Sequence, residues 1–332
     1  MSKFAFGLVF VLFHTHLLSF GNVLEDMRDL WLQGNWFSSR LQVVFGKPPG
    51  LTIDRIPSGF EINSGVPSVS VSQAASPQRK VKKVDPLGKD LPMPDLGIPT
   101  YNQDELKFLG KGASGSVFSA AYYGLKIALK EVNKWSLVSR FMNKPTVTER
   151  EIERHMPKIE VEAKTMHHVC GHPNIPRIFG MDNSMEYFRI AMQYAPGCSL
   201  ERVKLSEQEA KMVMRQLLSA LQHCHELGVG HLDVKPANIV WDGQTIKLLD
   251  FSISRFFDPE VPENFEGALE GTHEYRPRFS QEQNPVLLDI YGAGVTLRQI
   301  SREPSQQAQE VIDACLEMRT WIIELQQMSY FD

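Results

Sequence analysis

Residues His231–Asn238 read H-L-D-V-K-P-A-N, and twelve positions later Asp250 stands in L-L-D-F-S. No other stretch of the chain restricts its fold as strongly. A carboxylate (Asp233), an ammonium (Lys235) and an amide (Asn238) fall within six residues, with Pro236 stiffening the backbone between them. Such residue types on one rigid loop suit chemistry that depends on positioning and charge neutralisation more than on covalent attack. To hold them in register, the loop must hang from a sizeable core.

The composition allows such a core. Of 332 residues, 42% are hydrophobic and 22% charged, enough for one large domain or two lobes. A net charge of −4 gives no reason to expect nucleic acid or an anionic membrane as a partner. The four cysteines (Cys170, Cys198, Cys224 and Cys315) are scattered without a C-x-x-C pair, which argues for free thiols in a reducing compartment over a disulfide framework or zinc site. Phe4–Phe20 is apolar but interrupted by His14, Thr15 and His16. A secretory signal over residues 1–21 is the alternative to the preferred reading, an apolar segment outside the main domain of a cytoplasmic protein.

Along the chain, Val23–Trp36 has apolar residues at helical spacing. Residues 57–99 are rich in Ser, Pro and Gly, with a basic run Arg79-Lys80-Val81-Lys82-Lys83, and read as a largely disordered linker. Residues 1–100 are thus an extension, and 101–332 the domain. Leu106–Val117, Val117–Tyr123 and Leu125–Val132 read as strands, Thr148–His168 as a helix, and Ile175–Phe179 and Tyr187–Tyr194 as strands again. Leu205–Leu227 is a long helix opened by a capping box, Ser206 with Glu209. Strands with one helix come first and helices follow. The fold class is α+β, with a sheet lobe over about 101–195 and a mostly helical lobe over about 196–332.

Within the first strands, Gly110-Lys111-Gly112-Ala113-Ser114-Gly115-Ser116-Val117 fits G-x-G-x-x-G-x-V, preceded by Leu109. Its glycines let backbone N–H groups approach and cradle phosphate oxygens. The pattern also occurs in dinucleotide folds, but there a helix follows, and here a strand does. Ile127-Ala128-Leu129-Lys130 places a lysine in an apolar strand, where a cation calls for a partner. Glu162 and Glu160 on the next helix are the candidates.

Together these segments resemble eukaryotic protein kinases over about 200 residues. The resemblance implies a bilobal kinase fold, ATP and Mg2+ as cofactors, a protein substrate, and a monomer. By analogy Asp233 orients the substrate hydroxyl and Lys235 balances the transferring phosphoryl group. Asn238 and Asp250 hold magnesium, and Lys130 clamps the α- and β-phosphates. Glu162 is preferred over Glu160 because it lies ten residues before His172 of Gly171-His172-Pro173-Asn174-Ile175, the kinase offset. Backbone groups of Gln193–Ala195 meet adenine behind Met192, with Ala128 in the same site. Asp289-Ile290-Tyr291-Gly292-Ala293-Gly294 resembles the helix start that anchors the catalytic loop from below in that family. Gly271–Arg276 faces the substrate, and Met166, Ile178, His231 and Phe251 stack between the lobes. Lysine two residues after Asp233 is the serine/threonine pattern.

Leu232, where most kinases have arginine, with Tyr123–Lys134 and Asp289-Ile290-Tyr291, resembles the Mos family, cytoplasmic serine/threonine kinases that phosphorylate a MAP-kinase kinase in oocyte meiosis. Leucine cannot receive an activation-segment phosphate, so activity without that phosphorylation is expected. Three departures favour the alternative, a pseudokinase scaffold. Ser252 replaces the glycine of D-F-G. Phe279 stands where a glutamate is expected. Only 38 residues follow Gly294, with Val311–Leu316 read as a late helix brought forward.

Overall fold

The alternating pattern that begins near Leu106 builds a five-stranded antiparallel sheet in the order β1-β2-β3-β5-β4. The strands are β1 (Lys107–Lys111), β2 (Ser116–Tyr122), β3 (Leu125–Asn133), β4 (Ile178–Asn183) and β5 (Tyr187–Gln193). The computed structural model describes residues 84–91, 97–98, 101, 105–122, 124–265, 270–277 and 283–332. The expected elements at Phe4–Phe20 and Val23–Trp36, the basic run at 79–83 and Phe279 lie outside the described residues.

Two helices separate β3 from β4. Helix α1 (Lys134–Met142) is started by Asn133, whose side chain accepts from the Ser136 N–H at 2.8 Å. The sequence reading missed it, because its apolar residues merge with the end of β3. Helix α2 (Glu149–His168) matches the expectation. At its start Glu151 accepts the Thr148 N–H at 2.7 Å, and it runs through Pro157, which removes one backbone bond. Ile152, Ile159, Ala163 and Met166 are buried. The strand expected at Ile175–Phe179 is displaced to Ile178–Asn183. Ile175 is buried, but its N–H closes a turn onto His172, so burial rather than extension explains its apolar character.

The second lobe is mostly helical. Helix α3 (Glu207–Glu226) carries the predicted capping box, with Glu209 accepting the Ser206 N–H at 2.8 Å. Short strands follow: β7 (Val229–Gly230) pairs with β10 (Arg255–Phe256), and β6 (Cys198–Ser199), β8 (Ile239–Trp241) and β9 (Ile246–Leu248) form a small sheet. Between these ribbons run the two polar loops identified in the sequence. Helix α4 (Pro285–Ile300) lies beneath them, buried on most of its faces. Helix α5 (Gln306–Leu316) contains Val311–Leu316, read from the sequence as a late helix, and α6 (Ile322–Leu325) leads to Tyr330 and Phe331, both buried. Tyr330 and Phe331 thus belong to the core of this lobe.

The segment read as linker needs correction. Residues 84–91 pack on the domain rather than trailing from it: Val84, Leu87 and Leu91 lie against the main core. The Phe256 N–H donates to the Pro86 carbonyl at 3.0 Å, and Gly97 bridges to Met181 at the edge of β4. Leucines spaced among Pro, Gly and charged residues carry no periodic signal, so the docking was invisible to pattern reading. Gly88 has φ +58°, and a Cβ there would meet the Phe256 ring at 2.6 Å. Gly88→Val is therefore expected to destabilise the protein by about 2–4 kcal/mol through backbone strain and overpacking. Urea unfolding monitored by circular dichroism checks this; an unchanged midpoint contradicts the docking.

Candidate active site

Lys130 projects from β3 toward the gap between the lobes. Its Nζ donates to both oxygens of Glu162, at 2.8 and 2.6 Å, and to Asp250 Oδ1 at 2.8 Å. Glu162 reaches it from the buried face of α2, Asp250 from the loop after β9. Burial alone would push the Lys130 ammonium toward neutrality, but the two carboxylates outweigh it and hold the pKa above the ordinary lysine value. Burial likewise opposes charge on Asp250, yet Lys130 and the Ser252 hydroxyl hold its carboxyl well below the usual range. Of the two glutamates considered, Glu162 is the partner; Glu160 pairs with Lys164 at 3.5 Å.

The second cluster surrounds Asp233. Asn238 Nδ2 donates to Asp233 Oδ2 and to its backbone carbonyl, both at 2.9 Å. Thr272 Oγ1 donates to Asp233 Oδ1 at 2.7 Å, and Lys235 Nζ lies 2.6 Å from Oδ2 and 2.7 Å from Thr272 Oγ1. Burial raises the Asp233 pKa, but Lys235 and the Thr272 hydroxyl bring it below the ordinary aspartate value. Asp233 is therefore an ionised carboxylate aimed by fixed donors. Sequence reasoning placed Thr272 only in a substrate-facing segment; its bond to Asp233 spans 39 residues and leaves no local signal.

Asp289, almost fully buried on α4, holds the loop in place. It accepts the backbone N–H of His231 at 2.8 Å and of Leu232 at 2.6 Å, and His225 Nε2 at 2.8 Å. Those bonds keep Leu232 at φ +67°, a conformation that a leucine adopts only under constraint. His231 accepts the Asp233 N–H at Nδ1 and meets the Leu249 carbonyl at Nε2, 3.0 Å away, so its partners assign the Nε2–H tautomer. Its ring packs edge-on against Phe251, with centroids 4.8 Å apart. Met166 and Ile178, grouped with these two in the sequence reading, are also buried. The Leu249 N–H donates to the Asn238 carbonyl at 2.8 Å, coupling the two polar loops directly.

The glycine loop joins β1 to β2. Gly112 N–H donates to the Gly115 carbonyl at 2.8 Å, and a Cβ on Gly115 would meet the Glu131 carbonyl at 2.3 Å, so only glycine fits. Arg140 of α1 donates to the Ala113 carbonyl at the loop tip. Ala128 is buried on β3, while Leu109 is exposed. One expectation is narrowed: the Gln193 N–H is already bonded to the Arg177 carbonyl at 2.8 Å, so that N–H is not available to a ligand. Ser252 also departs from expectation. It is absent from the residues of positive φ, and its hydroxyl bonds Asp250, so serine fits where glycine was expected.

The family model for the protein kinase domain matches residues 103–329. The chain belongs to the protein kinase family. It is 28% identical over 244 residues to calcium-dependent protein kinase 13 of Oryza sativa subsp. japonica, covering 69% of this chain and 41% of that protein. It is 27% identical over 198 residues to calcium-dependent protein kinase 2 of Arabidopsis thaliana, covering 56% and 28%. The chain thus spans well under half the length of these relatives.

For a kinase domain built on Lys130, the ion-pair hub predicts a pH signature. Asp250 stays ionised in the folded protein well below 3.8, its ordinary value, whereas the unfolded chain binds a proton there. Its contribution is complete above pH 3.8 and is lost as pH falls toward the depressed folded value. Wild type should lose up to about 1.4 kcal/mol more per pH unit below that point than Asp250→Asn. Chemical denaturation at pH 6, 4 and 3 measures this; parallel profiles contradict it.

Proposed function

We propose that this chain is an ATP- and Mg2+-dependent serine/threonine protein kinase. The observation that carries the reading is the three-way contact of Lys130 with Glu162 and Asp250, set beside an ionised Asp233 that Lys235, Asn238 and Thr272 hold in place. Lys130, fixed and charged, is suited to grip the α- and β-phosphates beneath the Gly110–Val117 backbone. The carbonyl of Gln193 and the N–H of Ala195 are the groups proposed for the adenine edge.

The donor set fits a hard cation. Asn238 spends its amide nitrogen on Asp233, which turns its oxygen the other way, and Asp250 supplies carboxylate oxygen. Magnesium, when bound by these oxygens, would neutralise charge on the transferring phosphoryl group. Asp233 then orients the serine or threonine hydroxyl and accepts its proton, while Lys235 balances negative charge as the new bond to phosphorus forms.

The finer reading follows the resemblance. Leu232 and Asp289-Ile290-Tyr291 favour a Mos-type kinase, with a MAP-kinase kinase as substrate in a meiotic MAP-kinase cascade. The calcium-dependent kinases, at 28% identity or less, do not themselves point to that branch. All four cysteines are free, which supports a reducing compartment such as the cytoplasm, where the chain would act as a monomer. Among the described residues, no helix is long and apolar enough to cross a membrane.

Purified wild type should phosphorylate a MAP-kinase kinase, with Lys130→Met and Asp233→Asn each lowering kcat by about 100-fold or more. Wild type that binds ATP–Mg2+ but transfers no more phosphate than Asp233→Asn would establish the pseudokinase scaffold instead.

A further inference from the structure

The usual acceptor of an activation-segment phosphate is an arginine beside the catalytic aspartate, and here that position is Leu232, buried and apolar. Two other cations nevertheless converge next to the site. Lys158 lies on α2 one turn before Glu162, so both project from the same side of the helix. Arg255 lies on β10, five residues after Asp250, and its side chain is 4% exposed. Between them sits Glu270. Its Oε1 accepts from Lys158 Nζ at 3.1 Å and lies 3.6 Å from the Arg255 guanidinium. Lys158, Glu162, Arg255 and Glu270 line one cavity of about 190 Å³.

We propose that Glu270 is a positioning residue that takes the place of an activating phosphate. The inference rests on the kinase reading above and names its regulation. A buried guanidinium needs an anion, and burial does push the Arg255 pKa down, with Glu270 opposing the shift. A phosphorylated residue would supply that anion only after modification; Glu270 supplies it permanently. Because Lys158 and Glu162 share a helix turn, the pull of Glu270 on Lys158 acts on the part of α2 that carries Glu162 to Lys130. The segment after Asp250 and the helix that bears Glu162 are thereby tied by one carboxylate. No phosphate is required.

The test uses the full chain as wild type, Glu270→Gln, Glu270→Asp, Lys158→Met and the Glu270→Gln/Lys158→Met double variant. ATP–Mg2+ affinity and amide hydrogen exchange across residues 149–168 are measured before and after phosphatase treatment. Glu270→Gln should weaken ATP binding by about tenfold and speed exchange selectively around Glu162. Glu270→Asp should recover part of the loss. The double variant should be no worse than the weaker single variant, since both remove one link. Phosphatase should change nothing in wild type. Unchanged affinity and exchange in Glu270→Gln overturn the proposal, as does a uniform loss of protection across both lobes or a fall in wild-type affinity on dephosphorylation. Both readouts are independent of phosphotransfer. A wild type without kinase activity that still shows the α2 effect therefore overturns the kinase reading and retains the bridge.

Discussion

Lys130 carries its charge into an interior where an unpaired ammonium could not persist, and two carboxylates drawn from sites 32 and 120 residues away make that tolerable. Removing either carboxylate leaves charge without its full complement in a buried place, which is why β3, α2 and the loop after β9 must assemble together. The sheet lobe contributes the lysine, the helix one carboxylate and the second lobe the other. An ion pair of this kind is weak evidence for stability, but it is a strong constraint on geometry. It sets where α2 lies relative to the sheet and where Asp250 points.

A second constraint lies below the first. Asp289 satisfies three donors at once and so holds Leu232 at positive φ and Asp233 in reach of Asn238, Lys235 and Thr272. The backbone bond from Leu249 to Asn238 connects this loop to the Lys130 hub. Positioning therefore passes from a helix core through two loops to the lysine, with each link a hydrogen bond between named atoms. Transfer chemistry that relies on placement and charge balance has its requirements met by such a frame.

Much of this was legible in the sequence for a physical reason: the groups proposed for catalysis and metal binding occupy short contiguous loops, so Asp233, Lys235, Asn238 and Asp250 stand out as matches to kinase motifs. Glu162 was readable from its offset to His172, and Asp289 from the motif that it opens. Contacts that close only in three dimensions were not. Thr272 meets Asp233, and Glu270 meets Lys158 across 112 residues, with no periodicity to betray either. Docking of residues 84–91 was lost because Pro and Gly outweighed Val84 and two leucines, and α1 because its apolar residues continue those of β3. The assignment of Ile175 to a strand failed because a buried turn and a buried strand share the same composition. Ser252 raised a concern that its ordinary backbone conformation removes.

If the Lys130 hub seats nucleotide phosphates, as proposed, with magnesium on Asn238 and Asp250, then ATP affinity must depend on both the lysine and the metal. Calorimetric titration with ATP, in magnesium and again in chelator, tests it most directly. Saturable binding that weakens markedly without magnesium and is lost in Lys130→Met is expected. Binding of equal strength with and without magnesium, or undiminished in Lys130→Met, would contradict it.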